Sequence, residues 1–73
     1  MLLSDFKKKN ELKIIQKIDC DGIRKQRLSN LGFCKGVDIQ IKAFAPLGDP
    51  MIVTVGGSDC VIRKSDARFV VID

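Results

Sequence analysis

Hydrophobic and polar positions alternate most cleanly along Val37-Asp38-Ile39-Gln40-Ile41-Lys42-Ala43. A period of two predicts a strand with one face in a core. Met51, Val53 and Val55 alternate with Ile52 and Thr54 and predict a further strand. Gly56-Gly57-Ser58-Asp59 then reads as a glycine-rich hairpin turn, with Cys60 to Arg63 returning from it. Leu12 to Ile18 predicts the first strand, with Leu12, Ile14 and Ile18 on one face and Ile15 on the other, beneath the N-terminal segment. Phe69 to Ile72 predicts the last one.

One helix interrupts this pattern, over Gly22 to Leu31. Arg24, Lys25, Gln26, Arg27 and Leu28 are good helix formers, and Asp19-Cys20-Asp21-Gly22 supplies turn and capping chemistry before them. Leu28 and Leu31 share a face at i, i+3 spacing and are expected to pack the helix onto the strands. Gly32 can close the helix in the left-handed conformation, and Phe33 follows where it could fold back on the last turn. Ser65-Asp66-Ala67 predicts a single helical turn capped by Ser65. Short strands, tight turns and one brief helix point to a mainly β fold, a small and partly open barrel.

Between two of the strands lies Ala45-Pro46-Leu47-Gly48-Asp49-Pro50. Pro46 fixes its own φ for the second position of a turn, Gly48 tolerates positive φ, and Pro50 biases Asp49 towards extended backbone. Such a stiff loop holds Leu47 at a defined place. Leu47 then either plugs the barrel end or anchors a partner as an apolar contact within a polar rim.

Length and composition narrow what the fold can do. With 73 residues the chain makes a single domain over 1–73. A domain of this size buries only about 60% of its unfolded surface, which leaves little room for a deep catalytic pocket. No apolar run approaches the roughly 20 residues of a membrane span, and the opening residues do not form a signal peptide. Cys20, Cys34 and Cys60 are an odd set without CxxC spacing, which argues against a disulfide framework and for a cytoplasmic protein.

The charge balance is basic, with 13 Lys and Arg against 9 Asp and Glu. These charges are mixed along the chain, so a solvated surface accounts for them more simply than nucleic acid does. Arg24, Lys25 and Arg27 form a basic helix face that could meet phosphate or an acidic partner. There is no histidine, and neither a GxxxxGK[ST] nor a GxGxxG motif, so no catalytic residue is assigned. Asp19, Cys20 and Asp21 are the nearest approach to a metal cluster. Cys34 lies beyond a helix about 15 Å long, too far to share their ion, and no metal ligand or cofactor is assigned. The absence of Trp and Tyr argues against both a polyproline groove and a base-stacking platform.

Several of these segments, in this order and spacing, resemble the FeoA-type ferrous iron transport accessory proteins over nearly the whole chain. They are Leu3-Ser4-Asp5, Arg27-Leu28-Ser29-Asn30-Leu31-Gly32-Phe33, Lys35-Gly36-Val37-Asp38-Ile39, the proline-flanked loop, and Asp66-Ala67 followed by Val70 and Ile72. Lys7-Lys8-Lys9-Asn10 departs from the Pro-Gly turn common in that family. The resemblance implies an SH3-like barrel with the helix inserted after the first strand. It also implies a non-enzymatic cytoplasmic role beside FeoB, the membrane GTPase transporter that imports ferrous iron. The expected contacts with that partner are Leu28, Leu31, Gly32, Pro46, Leu47, Gly48, Asp49 and Pro50. Neither a stable nucleic-acid complex nor direct membrane insertion is expected. A metal-sensing or nucleic-acid-associated regulatory barrel is the alternative.

Overall fold

A computed structural model describes all residues, Met1–Asp73. Its strands are β1 (Lys13–Ile18), β2 (Asp38–Phe44), β3 (Met51–Val55), β4 (Ser58–Ile62) and β5 (Val70–Ile72). They form one antiparallel sheet in the order β4-β3-β2-β1-β5. Helix α1 (Gly22–Asn30) follows β1, and the short α2 (Lys64–Ala67) connects β4 to β5. The sheet does not close, so the fold is mainly β and a partly open, SH3-like barrel.

The alternating segments supply the core as expected. Ile39 and Ile41 lie opposite Val55 and Val53, and all of them are buried with Met51. Gly56 and Gly57 both have positive φ, 56° and 85°, the backbone that a two-residue hairpin of right-handed twist requires. That turn is shorter than the sequence suggests. Ser58 and Asp59 already pair with Val55 and Thr54, so they belong to β4.

Two bulges alter which side chains face inward. In β2 the register shifts between Ile41 and Ala43, so Phe44 lies opposite the buried Met51 and packs on the core, while Ala43 faces out opposite Ile52. In β1 a shift between Ile15 and Lys17 sets Ile15 opposite Ile72 and Ile18 opposite Val70. Ile15 is therefore fully buried, whereas Leu12 and Ile14 are 58% and 40% exposed. The extra residue offsets the period of two and brings Ile18 onto the core face with Ile15, away from the face it was expected to share with Leu12 and Ile14.

Helix α1 ends in a complete Schellman motif. Gly32, at φ 102°, donates its N–H to the Ser29 carbonyl, and Phe33 donates to that of Leu28, both at 2.9 Å. This brings Phe33 back beside Leu28, and both are fully buried. Leu31 occupies the C-cap instead and is 44% exposed. Phe33, not Leu31, is the apolar partner of Leu28 at the helix end.

The opening segment covers one end of the barrel with Leu3 and Phe6, both buried. Leu2 bridges Val71, and Lys9 bridges Ile41. Asn10 adopts positive φ, 62°, and donates to the Ile41 carbonyl at 2.7 Å. Asparagine is one of the few residues that take this conformation readily, so Lys7–Asn10 makes its turn without Pro-Gly.

Candidate partner-binding surface

The loop after β2 is held by hydrogen bonds at both ends. Pro46 and Leu47 are its central turn residues, closed by the Gly48 N–H donating to the Ala45 carbonyl at 2.7 Å. Gly48 has φ 87°, the positive value that a residue without Cβ adopts freely. The Ala45 N–H donates to the Pro50 carbonyl at 3.0 Å, and the Asp49–Pro50 peptide is cis. Asp49 Oδ1 accepts the Lys64 N–H at 2.9 Å and so ties the loop to the start of α2. The helical turn is capped in this way from outside, and Ser65 makes no capping bond.

Leu47 stands at the tip of this clamped loop and is 95% exposed. It does not plug the barrel end. The loop runs directly into β3, where Ile52 and then Val61 across the ladder face outward. Ala43, Ile52 and Val61 lie in register across β2, β3 and β4, an apolar row on the outer face of the sheet. Beyond it the outer face turns polar, with the Thr54 hydroxyl donating to Asp59 Oδ1 at 2.6 Å. Sequence reasoning did not single out Ile52 or Val61. The available signal was an isoleucine at the solvent-facing position of a strand that otherwise alternates.

The expected contact residues do not form one patch. Leu28 is fully buried and has no surface to offer a partner. A Cβ on Gly32 would lie 3.7 Å from Val55 Cγ1, which places the helix exit at the far end of β3. The Pro46–Pro50 loop enters the near end at Met51, and a five-residue strand separates these ends by roughly 13 Å. Leu31 and Gly32 thus sit apart from Pro46, Leu47, Gly48, Asp49 and Pro50.

The basic helix face is largely engaged within the molecule. Arg24 and Arg27 reach Asp66 Oδ1 at 3.4 and 2.7 Å, and the Arg24 guanidinium lies 4.5 Å above the Phe69 ring. These contacts dock α1 against α2 and set Arg24 and Arg27 to share the one Asp66 carboxylate. The free cysteines are all half-buried. Burial, reinforced by the neighbouring Asp59 carboxylate, holds the Cys60 thiol above its ordinary pKa. Asp19 lies 3.8 Å from Lys17, and no three Cys, Asp or Glu side chains converge to hold a metal ion. No helix is long and apolar enough to cross a membrane.

The comparisons with known proteins agree with this architecture. Iron(II) transport protein A from Clostridium thermocellum superposes with a TM-score of 0.94 at 29% identity, over 100% of this chain and 44% of that one. The chain therefore spans less than half of that relative's length. The FeoA protein from Chlorobium tepidum gives a TM-score of 0.87 at 28% identity, over 99% of this chain and 68% of that one. Stenotrophomonas maltophilia FeoA, an SH3 domain protein solved in complex with zinc, gives 0.83 at 30% identity, covering 100% and 89% of the two chains. The zinc belongs to that protein; here no ligand set converges to receive one. Among curated proteins, none matches this chain. The FeoA domain model matches residues 1–73, the same span that builds the open barrel, its inserted helix and the clamped loop. By sequence and by fold alike, the chain belongs to the FeoA family.

Proposed function

We propose that this protein is a non-enzymatic accessory factor of ferrous iron uptake that binds the cytoplasmic part of a FeoB-type GTPase transporter. It works in the cytoplasm, where the transporter's GTPase domain lies, and regulates that partner without carrying iron itself. One observation supports this reading most: Leu47 is 95% exposed on a loop whose backbone is pinned to α2. A large apolar side chain held out on a rigid turn loses little conformational entropy on docking. The row of Ile52 and Val61 extends the apolar contact, and Thr54 with Asp59 supplies polar margin beside it. Recognition is by shape, because no nucleophile or ligand set lies in the loop.

Calorimetric titration of the soluble GTPase-bearing region of the cognate transporter tests the reading. Saturable one-to-one binding is the expected result. Absence of binding to that region and to the full transporter in detergent would remove it.

A further inference from the structure

The end of α1 helps to build a second surface feature that shares no residue with the proline loop. A cleft of about 260 Å³ is lined by Lys17 and Ile18 of β1, Lys25 and Ser29 of α1, and the Phe33–Lys35 segment beyond it. Lys25 and Ser29 are four residues apart and so share a helix face. Arg24 and Arg27 are turned away to Asp66, which leaves the lysines as the cations of this cleft. Half-buried Ile18 gives it an apolar lining above the fully buried Phe33, and the Ser29 hydroxyl lies 3.6 Å from the Cys34 thiol.

No carboxylate lines the cleft. Lys17 shares its charge with Asp19 at 3.8 Å, but neither Lys25 nor Lys35 has an acidic side chain within ion-pair distance. Lys17, Lys25 and Lys35 thus all border the cleft, and two of the three carry a charge that no carboxylate neutralises.

We propose that this cleft binds a small phosphate monoester. A monoester carries roughly −1.5 to −2 charges near neutral pH, which matches Lys25 and Lys35 together. A monocarboxylate would leave one of them unpaired. Lysine serves phosphate well as a compact point charge, and the Ser29 hydroxyl can donate to a further phosphate oxygen. The organic part rests against the half-buried Ile18. The cleft lies below the roughly 300–1,000 Å³ usual for drug-sized ligands, so the ester is a small one.

Amide chemical-shift titrations at constant ionic strength test this with phenyl phosphate, inorganic phosphate and succinate as probes. Phenyl phosphate is expected to give saturable shifts at Ile18, Ser29, Cys34 and Lys35, and to bind more tightly than inorganic phosphate or succinate. Lys25→Gln and Lys35→Gln should each weaken it about tenfold, the effect of one charge-assisted contact. Lys42→Gln, outside the cleft, should leave it unchanged. All three lysines are exposed, and an otherwise unaltered spectrum verifies that each variant is folded. Shifts that do not saturate at the cleft, or wild-type binding by both cleft variants, would overturn the proposal. Equal affinity for succinate would overturn the choice of phosphate.

Discussion

Asp49 Oδ1 accepts the backbone N–H of Lys64 at 2.9 Å, across 15 residues of sequence. That bond makes the proline loop and α2 one unit. A carboxylate at this place satisfies an N–H that the first turn of a helix cannot pair internally. Asp49→Ala should lower the unfolding free energy by about 1 kcal/mol, measured by urea denaturation. Asp49→Asn should retain most of it, since an amide oxygen can accept the same bond.

The Leu28–Phe33 contact carries a larger share of stability. Both side chains are fully buried and held together by the turn at Gly32. Leu28→Ala should cost about 2–5 kcal/mol, the range for truncating a core leucine. Gly32→Ala should cost about 1–2 kcal/mol because a Cβ strains the backbone at φ 102°. Space is not the issue there, as the nearest atom to that Cβ is 3.7 Å away. Denaturant midpoints of both variants measure these losses.

Asp66 joins α1 to α2 through Arg24 and Arg27, with Arg27 at 2.7 Å. The arginine side chains are 41% and 53% exposed, so solvent weakens the attraction. A double-mutant cycle of Arg27→Ala and Asp66→Ala should return a coupling of ~0.2–1 kcal/mol, smaller at high salt.

Cys60 gives the fold a dependence on alkaline pH. Burial, and then the Asp59 charge, raise its thiol pKa above the ordinary value. The folded chain thus keeps this proton to higher pH than the unfolded chain does. Its contribution to stability is complete below the unfolded value, and it falls as pH rises through that value to the folded one. Unfolding midpoints should drop over this alkaline window in the wild type and less steeply in Cys60→Ala. At a fixed mildly alkaline pH, Asp59→Asn should speed alkylation of Cys60, because the thiolate is what reacts.

Much of this fold was legible in the chain. Alternation in Val37–Ala43 and Met51–Val55, the paired glycines and the Gly32 stop depend on local backbone chemistry, which sequence carries directly. The bulges at Ile15/Lys17 and Ile41/Ala43 depend on cross-strand pairing, and each reversed the facing of a residue beyond it, Ile18 or Ala43. The capping of Lys64 by Asp49 is equally non-local, so Ser65 looked like the nearer candidate. The candidate surface was half legible. Leu47 stood out through its prolines, while Ile52 and Val61 meet only through strand register. Nothing local to Leu31 or Gly32 shows that β3 separates them from the loop.

The most direct test of the account is the dissociation constant of the Leu47→Asp variant for the GTPase-bearing region of the transporter. Leu47 makes little contact with its own fold, so the variant should unfold at the wild-type midpoint. Its binding should weaken by roughly thirtyfold or more, as for a central apolar anchor worth about 2 kcal/mol. Wild-type affinity in a folded Leu47→Asp variant would contradict the central claim that this loop is the docking site.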